Sequence, residues 1–87
     1  MNELDNLRNK IDETDDKIVD LLLERFRIVK NVGEYKKTNK LEIFQKDRET
    51  EVLQKIAEKI NNQEYKKYIL KIYAEILEMS KLSQHKK

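Results

Sequence analysis

The sequence contains no cysteine, no proline and no tryptophan, and among its 87 residues it has one glycine and one histidine. Without cysteine there are no disulfides, no thiolate nucleophiles and no Cys-ligated zinc or iron–sulfur centres. Without proline, and with Gly33 as the one glycine, nothing interrupts long helices, and a composition rich in Lys, Glu, Leu and Ile predicts an all-α fold. Charge of one sign is lacking too. Lys+Arg number 19 against 17 Asp+Glu, a net +2, so there is no concentrated cationic face of the kind a nucleic-acid binder needs; the pure basic run that ends the sequence, Lys86-Lys87, is short. Met1–Asp5 has no basic segment followed by an apolar run, so neither a signal peptide nor a membrane span is expected, and the predicted location is cytoplasmic. His85, three residues from the end, reads as a frayed surface side chain rather than a base or a metal ligand, and no Ser/His/Asp arrangement can be assembled. The acidic pairs Asp12-Glu13 and Asp15-Asp16 fall mostly on the outer face of a helix, where they serve solvation and i,i+4 pairing. No metal and no cofactor is predicted.

What is present is a single domain, residues 1–87, with 38% hydrophobic and 41% charged residues. A chain this short buries only roughly 60–65% of its unfolded surface, so its own core is thin and self-association is expected. The stripe Leu4, Leu7, Ile11, Thr14, Ile18, Leu21, Arg25, Ile28, Val32, Tyr35 advances by alternating threes and fours, which predicts one helix from about residue 5 to about 38. At 1.5 Å per residue that helix is roughly 50 Å long, more than its own chain can cover. Thr38-Asn39-Lys40 is the first stop, with Asn39 as the residue suited to a left-handed C-terminal turn, and a loop near 39 to 45 follows. A second helix begins around Asp47, carries Val52, Leu53, Ile56, Ala57 and Ile60 on its apolar face, and is expected to close at Asn61-Asn62. The third occupies about 64 to 84, its inner face formed by Tyr65, Ile69, Ile72, Tyr73, Ile76 and Leu77 and continued in polar form by Ser80 and Gln84.

Polar residues on these stripes are the candidates for function. Arg25 stands where the pattern calls for an apolar side chain, and a guanidinium there costs stability unless an anion or polar cavity receives it. An interface pair with a neighbouring Glu, or a register device between helices, accounts for it equally well. Lys36 lies eleven residues further on, close to three whole turns, so both cations point the same way roughly 16 Å apart along the axis and can converge on one small anion. Arg8 is roughly 25 Å from Arg25 on the same helix, and if all three cations serve one site Arg8 must come from another subunit; by itself it reads as a surface charge. Arg48-Glu49 fits a dipole-favoured acid beside an exposed base. Ser80 and Gln84, one turn apart, either line a site or fray toward solvent. Gly33 costs roughly 1 kcal/mol relative to Ala within a helix and so suggests a close approach by another element.

Leu7-Arg8-Asn9-Lys10-Ile11-Asp12, Leu22-Leu23-Glu24-Arg25, Val32-Gly33-Glu34-Tyr35-Lys36, Arg48-Glu49, and Ser80 with Gln84, in that order and spacing, resemble the all-helical class of chorismate mutases over residues 4 to 84. The resemblance implies an intertwined homodimer of three-helix chains, each with one very long N-terminal helix, acting on chorismate without cofactor, metal, nucleic acid or membrane. The implied reaction is the Claisen rearrangement of chorismate to prephenate in the route to phenylalanine and tyrosine. It needs no nucleophile or proton carrier, since a barrier of this kind falls when the folded conformer is held and the charge of the breaking C–O bond is stabilised.

By the same resemblance Arg25, and Arg8 supplied by the partner chain, clamp the two carboxylates. Lys36 and Gln84 donate to the ether oxygen, Glu49 accepts from the ring hydroxyl, Ser80 assists at a carboxylate and Arg48 supports. Gln45 stands where the family often has Asp, so contact with the hydroxyl there falls to the Gln45 side chain or its backbone amide. From a length of 87 residues, no fused dehydratase, dehydrogenase or regulatory domain is expected. Rival readings are an isochorismate pyruvate lyase on the same scaffold and a non-catalytic helical dimer or adaptor.

Overall fold

The computed structural model describes residues 2–42 and 46–85, with side chains described as far as Gln84. It consists of three helices, α1 (Glu3–Thr38), α2 (Lys46–Glu58) and α3 (Gln63–His85), and the described residues contain no strand. Asn2 caps α1, its side chain accepting from the Asp5 amide at 2.8 Å, and Glu3 and Asp5 place negative charge at the positive end of the helix dipole.

The far end of α1 differs from expectation in one residue. Asn39 keeps φ near −98°, and the left-handed position is taken by Lys40 at φ 57°. The Leu41 amide bonds the Lys36 carbonyl at 2.7 Å and the Lys40 amide bonds that of Lys37 at 3.3 Å, which is the Schellman closure, and that closure needs the left-handed residue one place after the cap. Asn39 instead spends its side chain on the Tyr35 carbonyl at 2.9 Å.

Asn61-Asn62 does not close α2. That helix ends at Glu58 in tight turns, Lys59 to Ile56 and Ile60 to Ala57, while Asn62 starts α3 by accepting from the Tyr65 amide at 2.9 Å. A side-chain oxygen that meets an orphan amide is worth more at a helix start than at a helix end, and this decides its allegiance.

Helix α3 packs against both α1 and α2. Its inner face within the chain is narrower than the sequence predicts: Leu77 is 9% exposed and Tyr73 and Ile76 are half-buried, whereas Tyr65, Ile69 and Ile72 are exposed. Every residue from the cap Asn2 to Leu21 is exposed, apolar stripe included, with Leu21 at 65%. The molecule measures 56 × 28 × 15 Å with a radius of gyration of 16.4 Å, against about 12 Å for a compact chain of this length. Its accessible surface is 7726 Å², whereas a compact monomer of 10.6 kDa exposes about 5,500 Å². The excess is about 2,200 Å², comparable in size with one partner's share of a large interface. No described helix is long and apolar enough to cross a membrane.

Candidate active site

Where α1, the start of α2 and the end of α3 come together they enclose a pocket of ≈ 270 Å³. Its walls are apolar, from Ile28 and Val32 of α1, Val52 of α2 and Leu77 of α3. Its polar groups are four cations, Arg25, Lys36, Arg48 and Lys81, with one carboxylate, Glu49, one hydroxyl, Ser80, and one amide, Gln84. An apolar slot with such a surplus of positive charge selects a small anion with a hydrocarbon body.

Arg25 and Lys36 do converge. Their backbones are roughly 16 Å apart along α1, yet their heads reach residues only one turn, roughly 6 Å, apart on α3. The Arg25 Nη1 donates to Ser80 Oγ at 2.5 Å, and Lys36 Nζ donates to Gln84 Oε1 at 3.4 Å. Each cation thus marks one end of the slot. Ser80 is 5% exposed, so the fraying alternative fails for it. Its own proton goes to the Ile76 carbonyl at 2.7 Å, which leaves the hydroxyl acting as an acceptor that fixes Arg25. Gln84, with its carbonyl taken by Lys36, has its NH2 left to offer, the polarity needed to meet a negative oxygen.

Gly33 makes this approach possible. It is the one described α1 residue that is buried, and a Cβ added there would lie 3.1 Å from Gln84 Cγ and 3.3 Å from Gln84 Cβ. The close approach read from the sequence is therefore made by Gln84 itself, so the glycine sets where the amide stands.

On α2, Glu49 is half-buried and lines the pocket. Arg48 lines it too while pairing outward with Glu51, one turn away. Arg8 is exposed on the overhanging half of α1 and is not among the pocket's lining residues. Gln45 lies outside the described residues.

Two residues of the site escaped sequence reasoning. Tyr73 lies beneath Arg25, with the guanidinium carbon 5.7 Å from the ring centroid, so the cation rests on an aromatic face as well as on Ser80. Lys81 lines the pocket between Ser80 and Gln84. The spacing Tyr73-x6-Ser80 on a helix, two turns on one face, was the available signal for the first; nothing singled out Lys81 among the many lysines.

The chain is similar to the bifunctional chorismate mutase/prephenate dehydratase of Aquifex aeolicus (strain VF5), with 37% identity over 82 residues that cover 88% of this chain and 22% of that protein. It therefore spans about a fifth of the length of this curated relative. The family described as Chorismate mutase type II matches residues 7–85, a stretch that holds the whole pocket and nearly all of the three helices. The chain belongs to the type II chorismate mutase family.

Proposed function

We propose that this chain catalyses the rearrangement of chorismate to prephenate, as a homodimer with two equivalent sites, each completed by Arg8 of a second copy. The observation that carries the reading is the convergence of Arg25 and Lys36 on Ser80 and Gln84 at the two ends of one apolar slot, in a member of this family.

Chorismate carries two carboxylates and an ether bridge. Arg25, held by Ser80 and Tyr73, takes one carboxylate, and Arg8 of the second copy takes the other. The dimer is supported by the about 2,200 Å² of surplus surface and by the exposed stripe Leu4, Leu7, Ile11, Ile18, Leu21 that runs past Arg8. Binding both charges at fixed separation folds the side chain over the ring and removes the entropy of finding the reactive conformer. As the C–O bond lengthens, negative charge gathers on the ether oxygen. Lys36 and the Gln84 NH2 meet it there, stabilising the transition state more than the ground state; one such donor is worth about 3–4 kcal/mol in an enclosed site. Glu49 accepts from the ring hydroxyl, Arg48 supports the site from α2, and Gln45 reaches the same hydroxyl by side chain or backbone. Ser80 acts chiefly by fixing Arg25. The enzyme so described works in the cytoplasm, within aromatic amino acid biosynthesis.

The test is to incubate the purified protein with chorismate and, separately, with isochorismate, and to identify products by mass spectrometry. Prephenate from the first is the expected outcome. Pyruvate and salicylate from the second would identify a lyase, and turnover of neither, with a dimer intact, would identify a non-catalytic assembly.

A further inference from the structure

Lys81 is the one pocket cation to which the preceding account gives no task. It follows Ser80 directly and precedes Gln84 by three residues, so Leu77, Ser80, Lys81 and Gln84 share the face of α3 that closes the pocket. Its side chain is only 27% exposed, yet its ammonium bonds Glu78 Oε1 at 3.3 Å, a carboxylate that is 50% exposed and does not line the pocket. The stem forms wall while the charge is drawn out toward the rim. An i,i+3 pair with a half-exposed acid is a weak bond, and a substrate carboxylate in a partly enclosed slot offers the ammonium a better one.

We propose that Lys81 is a substrate-binding residue, exchanging Glu78 for a carboxylate of the dianionic substrate at the pocket mouth, and that Glu78 competes with the substrate for it. This rests on the functional reading above. It makes the two members of an ion pair act in opposite directions, which a pair that merely staples the helix does not.

The experiment measures kcat and KM for chorismate in the full chain, its Lys81→Met, Glu78→Gln and doubly substituted variants, with helicity followed by circular dichroism. Methionine keeps the aliphatic wall and removes the charge. Lys81→Met is expected to raise KM about tenfold, the worth of one charge-assisted hydrogen bond at a half-open site, with kcat within about twofold. Glu78→Gln is expected to lower KM about two- to threefold by removing that competing carboxylate, and the double variant to match Lys81→Met, because the competitor matters only while the lysine is present. An unmoved KM in Lys81→Met, or a KM shifted the same way by both single variants, overturns the proposal while the mutase reading stands. A wild-type chain with no activity on chorismate overturns both.

Discussion

Between Arg25 and Lys36, helix α1 has α3 against it and faces the start of α2 across the pocket, and its cations end on named partners. From its cap Asn2 to Leu21 the same helix, with the same spacing of apolar residues, is exposed throughout. The repeat does not change at the boundary between these halves; what changes is that α3 covers Val29, Gly33 and Lys36, while Ile28, Val32 and Tyr35 of the stripe stay exposed there as well. A stripe of Leu and Ile that continues past the end of its own chain's core is an exposed apolar face, which is what the proposed dimer would cover. On the proposed reading, the position of Arg8 within that half would tie association to chemistry, since by its distance from Arg25 it cannot serve the same chain's pocket.

The comparison can be broken from either side. On the packed half, Lys36→Ala should lower kcat by about 10²–10³, the usual result of deleting a donor to a developing oxyanion, with helicity and association unchanged by circular dichroism and sedimentation. Gln84→Glu should move the activity optimum toward acid pH, because a carboxyl can donate to the ether oxygen only when protonated, so activity appears as pH falls and is lost as it rises; a flat pH–rate profile removes Gln84 from that role.

On the exposed half, Ile11→Glu should dissociate the dimer and abolish activity at low protein concentration while every pocket residue stays in place; sedimentation velocity and concentration-dependent assays check it. Gly33→Ala separates stability from activity within one residue. Alanine favours the helix by roughly 1 kcal/mol, but its Cβ presses on Gln84 Cγ at 3.1 Å, so kcat should fall several-fold with a melting temperature unchanged or raised. The smallest effect belongs to Tyr73. Replacing it with Leu should cost about two- to fivefold in kcat/KM, in line with a partly exposed cation–π contact, and replacing it with Phe should restore most of that.

Much of this was legible from residue spacing. A ten-member stripe left no choice about α1, and Arg25 and Lys36 stood out because they lie on an apolar face in phase with each other. Gly33 announced a close approach, though not to which side chain. What stayed illegible depends on tertiary packing. Ser80 could be read as a frayed end or a buried anchor, and only its burial against α1 decides between them. Tyr73 occupies an ordinary core spacing, and its contact with Arg25 joins residues distant in the chain. Asn suits both a stop and a start, so residue type alone does not say which helix Asn62 serves, and the left-handed turn falls at Lys40 rather than Asn39 because the closure, not the residue's preference, selects that position.

The claim on which the account depends is that each pocket is completed by a cation from the overhanging half of a second copy. Arg8→Ala and Lys36→Ala chains, each inactive alone, should be mixed, unfolded and refolded together. A mixed dimer then has one pocket with every group present, and since half the dimers are mixed, about a quarter of wild-type activity should return. Mixed dimers confirmed by native mass spectrometry but as inactive as either parent would contradict it.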